Sequence, residues 1–400
     1  MNKAYLGLVV LVLAALLISG CAQQVSGQTG NGSAGGAGGG TGNGIGGQPG
    51  TGNLGAGTSP AVGRTFYMGI VPTPKSIPNT TFEDIVSAYE EAADISEISM
   101  VWVEPSGIGE YETLKQKRVI EAVRVYGMMP LVTLNFATVK EVPGRGLQYV
   151  VDAPAGIEAN LSDPEFRALW VEEAKNIARD FKPEYLSLGN EINDYFYLHP
   201  EELDAYVSMY DEAYAAVKEV SPGTKVFVVF SLNHMKENEQ YEMIERFNGR
   251  SDLIGFTTYP WQEYANPEDI PADYYSGLSA YAQKPIAFTE IGWPSSTASG
   301  TGNGEAEQAR FLSRFVELTK GMDVEMVNWL FLHEVEVGGI AGAVSTPGTS
   351  TIALKNADGS RKEVYAEWVA LYNITINRAG RGIGLHPINL PFERPDSPEK

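Results

Sequence analysis

The chain has 400 residues, 43% of them hydrophobic and 20% charged, enough apolar side chain to bury a large core and far from a disordered composition. Fifty acidic against 29 basic side chains leave a net charge of −21, which repels phosphate backbones and argues against a nucleic-acid partner, while a neutral or polar substrate fits. The same acidity is what a soluble surface needs, and the one cysteine, Cys21, excludes an intramolecular disulfide and a finger-type zinc site.

Residues 1–21 read as a targeting segment: Lys3, an apolar run from Ala4 to Ile18, then Ser19-Gly20-Cys21. The run is short for a membrane span, which takes about 20 residues. Its end resembles the lipobox of exported lipoproteins, which implies that Cys21 is the lipidated first residue of a mature protein held on the outer face of a membrane. From Ala22 to Gly63 there is no charged residue, and Gly dominates with Ser, Thr, Asn and Gln, so the segment cannot bury enough apolar surface to fold. It reads as a flexible tether with a reach of roughly 35 Å. The G-x-G-x-x-G match at Gly42, Gly44 and Gly47 has no strand before it and no helix after it, so it is not a dinucleotide site.

After Arg64 short apolar runs alternate with amphipathic stretches, as in a parallel sheet wrapped by helices. Eight strands are predicted: Phe66–Val71, Ile98–Val103, Pro130–Phe136, Tyr185–Glu191, Lys225–Ser231, Leu253–Tyr259, Pro285–Glu290 and Met326–Leu332. Helices are predicted at Thr81–Ala93, Leu114–Tyr126, Pro164–Asp180, Pro200–Val220, Tyr241–Phe247, Ala272–Tyr281, Glu305–Lys320 and Lys362–Leu371. The eightfold count selects a closed (β/α)8 TIM barrel, an α/β single catalytic domain over 64–377, with 378–400 as a Pro-rich tail. Two long loops, Ala137–Ser162 and His333–Arg361, fall on the C-terminal side of the strands, where such barrels keep their active sites.

Two carboxylates end well-separated strands: Glu191 in "YLSLGNEIN" and Glu290 in "IAFTEIGWPSS". Both can point into one mouth, as cleavage of a glycosidic bond with retention requires: one acid to protonate the leaving oxygen and one carboxylate about 5–5.5 Å away to attack the anomeric carbon. Close like charges raise the proton affinity of one member, so Glu191 can hold a proton while Glu290 is ionised.

An Asn-Glu pair, Asn190-Glu191, ending strand four and a Glu ending strand seven resemble the clan A glycoside hydrolases over nearly all of Phe66–Ile374. "LKNADGSRKEVYAEW" at Leu354–Trp368 is similar to the passage that leads those enzymes into their final helix. The resemblance implies Glu191 as acid/base, Glu290 as nucleophile, Asn190 on the sugar 2-hydroxyl, Tyr259 orienting Glu290, and Trp329 as the floor of a sugar subsite. Trp261, Trp293 and Trp102 also lie near strand ends, and flat indole faces suit the C–H faces of pyranose rings, with core packing the alternative for each and most of all for Trp102; Trp170 and Trp368 fall on helices and read as structural. Two departures stand out: no Arg ends strand two, and Thr257 stands where a His two residues before Tyr259 is common. "TEIGWPSS" is similar to the nucleophile region of plant-type β-1,3-glucanases, and the overall layout to arabinogalactan endo-β-1,4-galactanases.

No G-x-S-x-G elbow, Walker A loop or H-E-x-x-H helix occurs. The four histidines, His199, His234, His333 and His386, are scattered rather than spaced as ligands, and His234 and His333 are candidates to touch substrate. The expectation is therefore an anchored, monomeric retaining glycosidase on a β-linked glycan, with no cofactor and no metal. The alternatives are a glycan-binding lipoprotein on an inactive barrel and a transglycosylase using the same two residues. Glycosylation sequons occur at Asn31, Asn79, Asn160 and Asn373.

Overall fold

The computed structural model describes residues 63–75, 80–103, 110–142, 144–154, 156–296, 304–335 and 348–377. Cys21, the Gly-rich tether, His386 and residues 378–400 lie outside them. Among the described residues no helix is long and apolar enough to cross a membrane.

The parallel strands are β1 (Tyr67–Ile70), β2 (Ile98–Val103), β3 (Met129–Leu134), β6 (Tyr185–Leu188), β7 (Lys225–Phe227), β8 (Val229–Ser231), β9 (Ile254–Thr258), β10 (Ile286–Ile291) and β11 (Val324–Trp329). They run in the order β7-β6-β3-β2-β1-β11-β10-β9-β8. The two ends of that sheet are one stretch of chain: β7 pairs with β6 and β8 pairs with β9, and only Val228 separates them. Its carbonyl accepts the Gly255 N–H at 2.9 Å. The predicted fifth strand therefore closes an eight-stranded barrel, with a break where its two neighbours diverge. Gly255 is what lets β9 approach: a Cβ there would meet the Val228 carbonyl oxygen at 2.9 Å and Val229 Cγ2 at 2.7 Å.

Around the barrel run α1 (Phe82–Ile95), α2 (Glu110–Lys117), α3 (Val119–Val125), α4 (Pro164–Phe181), α5 (Ile192–Leu198), α6 (Leu203–Val220), α7 (Leu232–Glu237), α8 (Glu305–Leu318) and α9 (Glu363–Tyr372). The caps follow the sequence. Thr81 and Asp84 form a capping box on α1, and Asp163 accepts two N–H groups at the start of α4 with Pro164 in its first turn. The single helix predicted over Leu114–Tyr126 is two, because Arg118 takes a left-handed conformation at φ 52°. The stretches predicted as helices at Tyr241–Phe247 and Ala272–Tyr281 hold short 3-10 turns, Tyr241–Arg246 and Ser276–Ala280, too brief to propagate an α-helix. Within the loop predicted at Ala137–Ser162 lies an antiparallel hairpin, β4 (Ala137–Val142) with β5 (Gly146–Val151). The short α5 and α7, not predicted, follow directly on the fourth and fifth barrel strands.

The core fills the space between barrel and helices. Trp170 of α4 is fully buried and donates its indole N–H to the Asn135 carbonyl, and Trp368 of α9 does the same to the Ile95 carbonyl. These two fit the structural part expected of them. At the N-terminal base of the barrel the described chain ends meet: Arg64 bridges Ile376, and its guanidinium binds Glu97 at 2.6 Å. Inside that base Glu325, 1% exposed, accepts from Tyr185 at 2.8 Å and from Lys225 at 2.6 Å.

Candidate active site

The fourth barrel strand leaves β6 through Gly189-Asn190-Glu191. Gly189 has φ 120°, and a Cβ there would collide with the Tyr206 hydroxyl and Ile192 Cγ2, both at 2.7 Å. Glu191 is itself left-handed at φ 49°, a conformation that costs a non-glycine residue of order 1–2 kcal/mol and gathers at functional sites. The two reversals bracket Asn190, whose N–H is held by Asn135 Oδ1 at 2.8 Å, and bring both polar side chains to the interior. Glu191 is fully buried; its Oε1 accepts from Thr257 Oγ1 at 2.5 Å, and its Oε2 has no partner among the described residues.

Glu290 ends the seventh barrel strand, where the register with β9 shifts between Phe288 and Glu290. It too is fully buried, and its two oxygens accept from two neutral donors, Asn190 Nδ2 at 3.2 Å and the Tyr259 hydroxyl at 2.6 Å. Tyr259 is fixed from behind: Asn233 Oδ1 accepts its N–H at 2.8 Å, and Asn233 Nδ2 donates to its carbonyl at 3.1 Å. Asn193 clamps Ser231 in the same way, at 2.7 and 3.2 Å. A chain of amide clamps thus runs round the mouth. Asn135 just beyond the third strand holds the fourth, Asn193 beyond the fourth holds the fifth, Asn233 beyond the fifth holds the sixth, and Tyr259 just beyond the sixth holds Glu290 of the seventh.

Burial sets the charge states. It pushes the Glu191 carboxyl well above the usual carboxylate range, and the nearby charges of Asp194 and Glu290 push it further, against the hydrogen bond from Thr257. Burial pushes Glu290 up to about 7, against the pull of its bonds from Tyr259 and Asn190. Of the pair, Glu191 holds a proton more tightly. One site with a protonated and an ionised carboxyl can give a proton to one atom while the other attacks a second.

The structure brings Asn190, Glu191, Tyr259 and Glu290 together. The expected aromatic and histidine residues fall in several different settings. Trp329 is fully buried, donates to the Ile352 carbonyl at 2.8 Å and packs on Phe311 of α8 and Trp368 of α9, so it faces the helices and does not floor the mouth. The inward residue is its neighbour Asn328, in register with Gly69, and both of its side-chain polar atoms lack a partner among the described residues. Trp293 is fully buried on Phe311, with its N–H unpartnered among the described residues; Trp261 is half-buried with its N–H likewise unpartnered. Trp102 lies on β2 opposite Thr133, and its side chain is outside the described set. His333 is tied to Thr73, its Nδ1 2.7 Å from the Thr73 carbonyl, and burial holds it below the usual histidine range. His234 is no rim residue: it is buried, with Nδ1 2.8 Å from Asp194 Oδ1. The sequence reading missed Asp194, Asn135, Asn193, Asn233 and Asn328, and treated Thr257 only as a departure. His199, Glu201 and Glu202, of which Glu201 is exposed and the other two half-buried, bring ligand atoms within 4.8 Å of one another, a grouping that surface acidic residues commonly form without an ion.

A paired-carboxyl mouth at the C-terminal end of a closed (β/α)8 barrel defines the chain as an O-glycosyl hydrolase of TIM-barrel type. Residues 173–342, which include Glu191 and Glu290, match the family described as glycosyl hydrolase family 53. The fold is similar to that of a GH5_18 protein from Streptomyces cattleya in complex with GlcNAc (17% identity, 78% of this chain and 81% of that one, TM-score 0.57). It is also similar to the exo-β-1,4-mannosidase Op5Man5 from Opitutaceae bacterium strain TAV5 (15% identity, 78% and 59% covered, TM-score 0.56). A third solved structure, the β-glycosidase BGL167, aligns at 12% identity over 81% of this chain and 100% of that one, with a TM-score of 0.54. Among curated proteins none matches this chain by sequence.

Proposed function

We propose that the protein is a retaining β-glycosidase acting by double displacement, with Glu191 as acid/base and Glu290 as nucleophile. The observation that carries this reading is the setting of Glu290: a fully buried carboxylate whose partners are the neutral donors Asn190 and Tyr259. A buried carboxylate without a cation keeps its nucleophilicity, and the neutral donors orient it without quenching its charge. Glu290 attacks the anomeric carbon while Glu191 protonates the leaving oxygen; Glu191 then takes a proton from the water that releases the sugar. Asn190 keeps Oδ1 unpartnered among the described residues, as an acceptor for a sugar hydroxyl suits. The indole N–H of Trp261, half-buried just beyond the sixth strand and unpartnered among the described residues, offers a donor of the same kind.

The substrate class is a β-linked oligo- or polysaccharide, with β-linked galactan first among those to try, given the family match over 173–342. The protein works as a monomer outside the cell, anchored through lipid on Cys21 and a tether that enters the barrel at Arg64 on the face opposite the mouth. On this reading a Cys21→Ala protein is released into the medium, and one that stays on the membrane contradicts the anchor.

The catalytic assignment is tested by azide rescue on an activated aryl glycoside. Glu290→Ala loses at least about 10³-fold in turnover and azide returns part of it as the inverted glycosyl azide. Glu191→Ala is rescued to the retained azide. The same stereochemistry from both variants, or an active Glu290→Ala enzyme without azide, contradicts the assignment.

A further inference from the structure

The buried pair Asp194–His234 is not used by the chemistry above, yet it lies against it. Asp194 stands in the first turn of α5, three residues after Glu191, and its N–H donates to the Glu191 carbonyl at 3.0 Å. The turn that carries Glu191 into the mouth thus carries a second carboxylate with it. His234, on α7 at the end of the next barrel strand, sets Nδ1 2.8 Å from Asp194 Oδ1, and the two side chains are 7% and 1% exposed. Taking a carboxylate out of water costs several kcal/mol, and the His234 ring nitrogen is the group that meets it here. An asparagine would fill the same space and still meet a histidine nitrogen without that cost. What it would lack is the charge.

We propose that Asp194 is a positioning residue for Glu191: held by His234, its carboxylate keeps the proton of the Glu191–Glu290 pair on Glu191. The inference rests on the assignment of Glu191 as acid/base. The groups that face Glu191 are Asp194 from α5, Glu290 from β10, the Thr257 hydroxyl from β9, Tyr259 just beyond β9, and Tyr149 from the β5 hairpin strand. Burial and the neighbouring carboxylates push both tyrosines well above the usual phenol range, so they stay neutral. Asp194 and Glu290 are therefore the charges that act on Glu191, and both favour its protonated form. Burial raises Asp194 itself, and the hydrogen bond and charge of His234 pull it back towards the ionised form.

The test is the pH dependence of kcat/KM for the full-length enzyme, Asp194→Asn and Asp194→Glu, on a glycan with a poor leaving group and on an activated aryl glycoside. Asp194→Asn should move the basic limb down by about one pH unit on the poor leaving group, and Asp194→Glu should bring it back. A uniform loss at every pH, with the limb unmoved, overturns the proposal, because that is what a purely structural residue gives. Should Asp194→Asn not fold, His234→Gln reads the same linkage: a limb displaced in either direction supports it and an unmoved limb overturns it. Glu191→Gln on the two substrates separates the two ideas. If the poor leaving group does not suffer more than the activated one, the assignment of Glu191 has failed, whatever Asp194 does.

Discussion

Two of the carboxylates buried in this barrel, Glu325 and Glu290, stand at opposite ends and are satisfied in opposite ways. Glu325 at the base binds the Lys225 ammonium at 2.6 Å and the Tyr185 hydroxyl at 2.8 Å, a charge neutralised where it stands. Glu290 at the mouth binds a phenol and an amide. Around Glu325 the charges close on themselves, whereas around Glu290 Asn190, Glu191, Asn135 and Asn328 each leave a buried polar atom without a partner among the described residues. Unmatched polar groups in a folded protein cost roughly 1–3 kcal/mol each, so a cluster of them at one end marks where the fold gives up stability for a ligand. Burial alone does not mark a functional carboxylate; the kind of partner does.

Glu325→Ala removes the carboxylate that the Lys225 ammonium and the Tyr185 hydroxyl share inside the base and should cost about 3–5 kcal/mol in denaturant unfolding, while the pH profile of the remaining activity keeps its shape. Glu290→Gln should act in the other direction. The folded carboxyl, raised from 4.5 to about 7, keeps a proton that the unfolded chain releases. Its contribution is therefore whole below pH 4.5 and is lost as pH rises through about 7. The glutamine variant, inactive, should be more stable than the parent at pH 8, by at most roughly 3 kcal/mol, with the gain vanishing at pH 4.5. A Glu290→Gln protein that melts lower than its parent at pH 8 would place this carboxylate with Glu325 as a structural one.

A smaller effect sharpens the role of the neutral donors. Tyr259→Phe removes the hydroxyl that pulls the Glu290 carboxyl down, so Glu290 should ionise at higher pH. The acidic limb of kcat/KM should move up, and the plateau should fall by about 10- to 100-fold, the range expected for a hydrogen bond to a charged group. An acidic limb that stays in place would mean that Tyr259 packs the mouth without tuning it.

The barrel and the four residues Asn190, Glu191, Tyr259 and Glu290 were legible because each lies at the end of an apolar run, and a parallel barrel gathers all strand ends at one mouth. Trp329 was misplaced for a physical reason. Whether a strand-end residue faces the axis or the helices depends on parity, and bulges change parity. The β10–β11 register shifts twice, once past Glu325 and again between Phe288 and Ile291, so counting along "VEMVNW" cannot tell Asn328 from Trp329. Asn135, Asn193 and Asn233 carried a signal that could have been found: each falls within a few residues of a predicted strand end, and their amides clamp the next strand's backbone. Asp194 carried little, because its meaning lies in a turn of helix and in His234, forty residues further on. Thr257, met as a missing histidine, is the hydroxyl that holds Glu191.

On the proposed mechanism the neutral setting of Glu290 makes it the nucleophile. The most direct measurement is peptide mapping by mass spectrometry after the enzyme reacts with an activated 2-deoxy-2-fluoro β-glycoside of a sugar it cleaves. One sugar should be added as an ester on Glu290, in the peptide that contains "FTEIGWPSS", and none in the Glu290→Gln protein. A sugar ester on Glu191, or turnover of β-linked substrate with inversion and no ester, would contradict it.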